Sequence, residues 1–182
     1  MKINSQSSLL EAVTYLPSPH CDERPPNHTI DAIIIHGISL PPGQFNTGQI
    51  ENFFCGHLDS TIHPYFATII ELRVSAHILI KRDGNIVQFV PFSKRAWHAG
   101  QSSLQGKTNC NDYSIGIELE GTDNTPYEAI QYKKLAALVL ILMQNYPNIT
   151  RDRIVGHADV APGRKTDPGT AFDWNYVKKL LA

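Results

Sequence analysis

Ser114-Ile115-Gly116-Ile117-Glu118-Leu119-Glu120-Gly121 places an apolar side chain at every second position. A period of two is the mark of a strand, with Ile115, Ile117 and Leu119 on one face and Gly116, Glu118 and Glu120 on the other. A second run, Asp31-Ala32-Ile33-Ile34-Ile35, is short, apolar and β-branched, and it leads straight into His36 and Gly37. Such a run predicts a central strand buried on both faces, delivering one imidazole at its end. Further on, Asp83-Gly84 separates the strand-like runs 76–81 and 86–90. That spacing predicts a hairpin, because glycine accepts positive φ without strain.

Helices follow the strands. Thr125-Pro126-Tyr127-Glu128 reads as a capping box with proline at the first helical position. The helix it starts should run to about Asn145 and stop before Pro147, with Ile130, Leu135, Leu138, Val139 and Leu142 on its buried face. Ile154-Val155-Gly156 reads as a short strand or turn ending at His157, and Trp174 to Leu181 as a terminal helix. Pro17 to Pro26 reads as an irregular lead-in, and 95–107 as a long loop. Strands, a hairpin and helices together predict an α/β fold, a mixed sheet packed by helices. The 182 residues suit one domain over 1–182, with its core at about 29–169.

Composition narrows the function. Hydrophobic residues are 42% and charged residues 18%, an ordinary globular balance, and the net charge of −1 comes with both signs interspersed. No broad basic face exists, so nucleic acid is not an expected partner. No apolar stretch reaches membrane-spanning length. Met1 to Leu10 lacks the charged-then-apolar order of a secretory signal. Cys21, Cys55 and Cys110 are odd in number and form no C-x-x-C. Both features point to a reducing, cytoplasmic setting and against a disulfide scaffold.

The chemistry concentrates in Gly156-His-Ala-Asp-Val-Ala-Pro-Gly-Arg-Lys-Thr-Asp-Pro-Gly169. This loop carries His157, Asp159, Arg164, Lys165 and Asp167 on a backbone bent by two prolines and three glycines. His36, His157 and one of the two aspartates would make a two-nitrogen, one-oxygen set, which catalytic zinc commonly uses with a fourth position left for water. Spacing does not choose between Asp159 and Asp167. Glu118 stands on the sheet where Gly116 clears space, placed to take a proton from a water. Glu120, on the same face, reads as a solvated charge. Lys165 suits stabilisation of an oxyanion, with Arg164 solvated beside it. Trp97 in its loop could stack on a ligand. His20, His28, His57 and His63 read as ordinary surface or core residues. A metal-free binding module and a closed structural zinc site, usually rich in cysteine, are the rival readings.

The segments HGISLPPGQF, LRVSAHILIKRDGNIVQFVPF, KRAWHAGQSS, CNDYSIGIELEGTD and GHADVAPGRKTDPGTAFDW together resemble the AmpD family. Its members are cytoplasmic zinc amidases that share a fold with phage-type amidases and peptidoglycan recognition proteins. The resemblance runs from about Leu16 onward. It implies a mixed sheet, mostly antiparallel or partly parallel, and cleavage of the amide between 1,6-anhydro-N-acetylmuramic acid and L-alanine in peptidoglycan recycling. It also implies zinc held by His36, His157 and Asp167, with Glu118 handling the proton and Lys165 stabilising the transition state. Arg73 and the Lys107 loop would lie near the groove for a small muropeptide, with Trp97 at its sugar. A monomer is expected. One departure stands out: Gly37 follows the first zinc histidine, where members of the family carry Asn.

Overall fold

The computed structural model describes residues 1–182. Strands β1 (Thr14–Tyr15), β2 (Cys21–Glu23) and β3 (Ala32–Ile38) precede helix α1 (Gln49–Phe54). Next come β4 (Ile78–Ile80), β5 (Ile86–Gln88), β6 (Lys94–Ala96), β7 (Ser103–Leu104), β8 (Lys107–Thr108) and β9 (Ser114–Glu120). Helix α2 (Ala129–Asn145), β10 (Ile154–Gly156), the one-turn α3 (His157–Val160) and α4 (Trp174–Leu181) complete the chain.

The main sheet has the order β1-β5-β4-β9-β3-β10. Only β4 and β5 pair antiparallel, through the hairpin at Asp83-Gly84, where Gly84 has φ +83°. The other four pairings are parallel, so the sheet is mostly parallel where a mostly antiparallel one was the alternative expected. The reason lies in the connections. Long crossovers, α2 among them, separate β3, β9 and β10 and return each strand in the same direction.

In-register pairing assigns the faces. Ile33, Ile35, Ile115, Ile117 and Leu119 point to one side, where Leu135, Leu138 and Leu142 of α2 and Val177 and Leu181 of α4 cover them. His36 and Glu118 are register partners on the other side, alongside Leu79 of β4. Phe53 and Phe54 of α1 pack with Leu79 on that side, together with Phe66 and Phe89. A third, smaller cluster surrounds Ala32 and Ile34 with Ala99, Tyr113 and Val160.

Three local readings change. Helix α2 starts at Ala129, capped by Glu128, whose backbone N–H donates to Gln131 Oε1 at 2.9 Å. Thr125 instead closes a turn, its N–H donating to Thr122 Oγ1 at 3.0 Å. The shifted start turns Ile130 outward and buries Gln131, whose amide donates to the carbonyls of Ile80 and Glu120. Between the lead-in prolines, β2 pairs antiparallel with β6, which was expected to be loop. No helix is long and apolar enough to cross a membrane.

Leu138 is fully buried between sheet and helix. Leu138→Ala should lower the unfolding free energy by about 2–5 kcal/mol, read by denaturant titration, and leave metal content unchanged.

Candidate active site

Parallel strands expose their carboxyl ends at one edge of the sheet, and ligands bind there. β3 delivers His36 at that edge, and β10 runs into His157 beside it, since Gly156 pairs with Ile35. The loop after α3 folds back, with Ala158 N–H donating to the Asp167 carbonyl at 2.9 Å, and returns Asp167 to the two imidazoles. His36 Nδ1, His157 Nδ1 and Asp167 Oδ2 form a triangle with edges of 3.0, 3.0 and 3.2 Å. The choice between the aspartates follows from the same loop. Asp159 Oδ2 accepts from Gly156 N–H at 2.7 Å and closes the turn of α3, away from the triangle.

The triangle fits a metal ion. His157 Nε2 faces the Ala99 carbonyl at 3.2 Å, and a carbonyl only accepts, so Nε2 carries the proton and Nδ1 of the neutral ring is a lone pair. That lone pair faces an Asp167 carboxylate oxygen, also an acceptor, at 3.0 Å. Two acceptors so close need a cation between them. Bonds of about 2.0–2.1 Å in a tetrahedral arrangement would separate ligand atoms by roughly 3.3 Å, close to the edges seen. The cysteines take no part: Cys110 Sγ pairs with Tyr113 Oη, and Cys21 and Cys55 contact backbone carbonyls.

Burial sets the electrostatics. It pushes the His36 imidazole down to about 4, despite the Asp167 carboxylate beside it. It would raise the Asp167 carboxyl, but the two imidazoles of His157 and His36 beside it outweigh burial and hold Asp167 well below the usual carboxylate range. Burial first, then the Asp167 charge, drives Glu118 well above its ordinary value, and Lys165 pulls it back. Glu118 Oε2 is buried with no hydrogen-bond partner. An unpartnered buried carboxylate oxygen is costly unless a ligand or water meets it.

These groups open onto one groove of about 630 Å³, lined by His36, Glu118, His157, Lys165 and Asp167 at its floor. Tyr65 and Leu72 on its wall are among the few large apolar side chains left exposed. Leu40, Pro42 and Gly43 of the loop after β3 form another part of the wall.

Several predicted residues stand elsewhere. Arg73 is exposed, its guanidinium donating to the Ile70 carbonyl, between two residues that line the groove. Trp97 does not line the groove; its indole donates to Asp22 Oδ1 at 3.1 Å and stacks on His20. Lys107 does not line it either. The Lys107 ammonium donates to Asp31 Oδ2 at 3.1 Å and sits over the Tyr113 ring, drawn to the amino end of β3, opposite the end that carries His36. Glu120 is not solvated. Its buried carboxylate accepts from Asn46 N–H at 2.6 Å and Arg82 N–H at 3.2 Å, tying the wall loop to the hairpin. Arg164 is not free either, donating to the Ala99 and Gln101 carbonyls at 2.6 Å each.

Two residues escaped the sequence reading. His98 Nδ1 lies 2.9 Å from His36 Nε2, and Gly116 admits its ring: a Cβ there would meet His98 at 2.4 Å. Tyr127 donates to the Pro168 carbonyl at 2.9 Å, next to Asp167. The glycine after His36 was a signal for the second, since a Cβ at Gly37 would fall 2.2 Å from the Tyr127 oxygen.

Comparison with known proteins agrees with this geometry. The N-acetylmuramoyl-L-alanine amidase family matches residues 26–170. The chain is similar to the 1,6-anhydro-N-acetylmuramyl-L-alanine amidase AmpD of Escherichia coli strain K12, 54% identical over 92% of this chain and 91% of that one. Its fold is similar to the crystal structure of a selenomethionine AmpD derivative, with TM-score 0.96 and 50% identity over the full length of both chains. It is also similar to the Escherichia coli amidase AmiD in complex with anhydro-N-acetylmuramic acid-L-Ala-D-γ-Glu-L-Lys, with TM-score 0.61 and 30% identity over 87% of this chain and 60% of that one. The chain belongs to the N-acetylmuramoyl-L-alanine amidase family.

Proposed function

We propose that this chain is one zinc amidase domain that hydrolyses the amide between 1,6-anhydro-N-acetylmuramic acid and the L-alanine of a stem peptide, in cytoplasmic peptidoglycan recycling and as a monomer. The observation that carries the reading is the acceptor triangle of His36, His157 and Asp167 beside the unpartnered Glu118 oxygen on one groove. Two imidazole nitrogens and one carboxylate oxygen are the donor set of catalytic zinc, which leaves a position open. When bound, zinc supplies Lewis acidity, polarising the scissile carbonyl and making water nucleophilic near neutral pH.

The side chains do the rest. Glu118 is register partner of His36, so its carboxylate faces the same space. Its free oxygen takes the proton of the attacking water and passes it to the departing amine of L-alanine. An amine leaves poorly unless protonated, and a carboxylate raised by burial is matched to both transfers. Lys165 lines the groove and offsets the negative charge that develops on the carbonyl oxygen. The exposed Tyr65 and Leu72 offer apolar surface to the sugar. Arg73 clasps a carboxylate of the stem with two parallel bonds, which lysine, a point charge, could not give.

Three outcomes are expected. His36→Ala or Asp167→Ala should remove zinc and activity together, while Asp159→Ala keeps the zinc; metal analysis of the purified variants decides, and zinc lost with Asp159 alone would displace Asp167 as ligand. Glu118→Gln should keep full zinc content and lower kcat by roughly 10²–10⁴, with Lys165→Ala costing about 10²–10³; unchanged turnover removes either residue from the mechanism. Arg73→Ala should raise KM several-fold more for the full-stem substrate than for anhydro-muramyl-L-alanine, and equal effects on both would show that Arg73 does not read the distal peptide.

A further inference from the structure

Behind His36 lies a chain of hydrogen bonds that ends on backbone. Ser114 Oγ lies 2.6 Å from the Cys110 carbonyl oxygen and 3.2 Å from His98 Nε2. His98 Nδ1 in turn lies 2.9 Å from His36 Nε2. Each proton on this path is fixed by the link before it. A carbonyl only accepts, so the Ser114 hydroxyl donates to Cys110. With its single proton spent, Ser114 Oγ accepts from His98 Nε2–H. No carboxylate contacts either ring nitrogen of His98, so nothing stabilises a second proton there, and Nδ1 keeps its lone pair. His36 Nε2–H must then donate to it, which leaves His36 Nδ1 as a lone pair turned to His157 and Asp167.

We propose that His98, held by Ser114, is a positioning residue that fixes the tautomer and ring orientation of His36, keeping Nδ1 unprotonated and aimed at the metal site. This inference rests on the reading that His36, His157 and Asp167 hold zinc. The fold invests in the arrangement. Gly116 sits under the His98 ring, where any Cβ would collide with three of its atoms at 2.4–2.7 Å. The ring meets His36 edge-on, with centroids 5.0 Å apart. The backbone is held as well: Asn111 Oδ1 accepts from both His98 N–H and Ala99 N–H, at 3.2 and 2.8 Å. The next carbonyl, that of Ala99, accepts from His157 Nε2, so one short segment orients both histidines. Such partners of metal-ligating histidines commonly change metal affinity or activity by 10–100-fold when removed.

The test begins with the metal-free parent protein, in ¹⁵N NMR of its imidazoles at a pH where His36 is neutral. The expected result is a protonated Nε2 and an unprotonated Nδ1 on His36; a proton on Nδ1 overturns the proposal, whatever the variants do. Zinc affinity is then read by chelator competition. His98→Leu should weaken it by about 10–100-fold. His98→Asn, which keeps an acceptor oxygen near the Nδ1 position, should restore most of that loss. Equal affinity in parent and His98→Leu, or equal losses in the two variants, would also overturn it. If His98→Leu does not fold, Ser114→Ala takes its place and should loosen the His36 tautomer preference in the metal-free NMR; an unchanged preference counts against the chain. Absence of stoichiometric zinc in the parent itself would be the failure of the ligand assignment, which the His36 tautomer does not depend on.

Discussion

Parallel pairing of β3 with β9 on one side and β10 on the other is the constraint from which the site follows. In that register His36 faces Glu118, and Gly156 beside Ile35 hands the chain to His157. Side chains alternate along a strand, so slipping β9 by one residue would turn Glu118 into the helix-covered face and bring Ile117 or Leu119 to the groove. The apolar face forbids the slip. Ile115, Ile117 and Leu119 are fully buried against α2, and moving them into the groove would expose them while burying carboxylates under a helix. Hydrophobic burial on one face thus fixes the chemistry on the other to within one residue.

The site itself is a concentration of largely buried acceptors. The Asp167 carboxylate and the lone pairs of two imidazoles lie 3.0–3.2 Å apart, with the buried Glu118 carboxylate on the same groove. Such a set is stable only with positive charge among it. Lys165 supplies part, and a divalent ion at the triangle would supply more. Around this centre the backbone is clamped by side chains that never reach the groove. Arg164 holds two carbonyls of the 99–101 segment, Asn111 holds the amides of His98 and Ala99, and Glu120 holds the wall loop. Each clamp satisfies backbone groups that a buried loop could not leave bare.

What could be read from the chain divides along physical lines. The strands 114–120 and 31–35, the hairpin at Asp83-Gly84 and the terminal helix all carry a local periodicity or a turn dipeptide, and the structure has each of them. The start of α2 was misplaced because Thr125-Pro126 and Glu128-x-x-Gln131 both offer cap chemistry, and only packing of Gln131 against two carbonyls selects the second. Parallel versus antiparallel pairing has no local signature, so strand order was not legible. Which aspartate meets the histidines depended on whether the loop folds back on itself, a fact of one backbone hydrogen bond, and spacing was silent on it. The clamps were missed for the same reason. Arg164, Glu120 and Lys107 look alike as surface charges in sequence, and only tertiary partners separate a guanidinium gripping two carbonyls from an ammonium paired with Asp31.

Gly37 becomes intelligible once its neighbours are in place. At that position a Cβ would fall 2.2 Å from the Tyr127 hydroxyl, and at Gly121 it would fall 2.3 Å from the same ring. Gly37 on β3 and Gly121 just past the end of β9 therefore make one slot, and Tyr127 fills it, nearly fully buried against Tyr132 and Phe172. From there its hydroxyl donates to the Pro168 carbonyl, immediately after Asp167. A side chain at residue 37 would compete with that ring for the space beside His36. Here the space goes to a rigid aromatic whose one polar atom is spent on the loop that carries Asp167. The groove wall next to His36 is accordingly bare backbone at Gly37, so any contact a ligand makes there falls to main-chain groups or water rather than to an amide side chain.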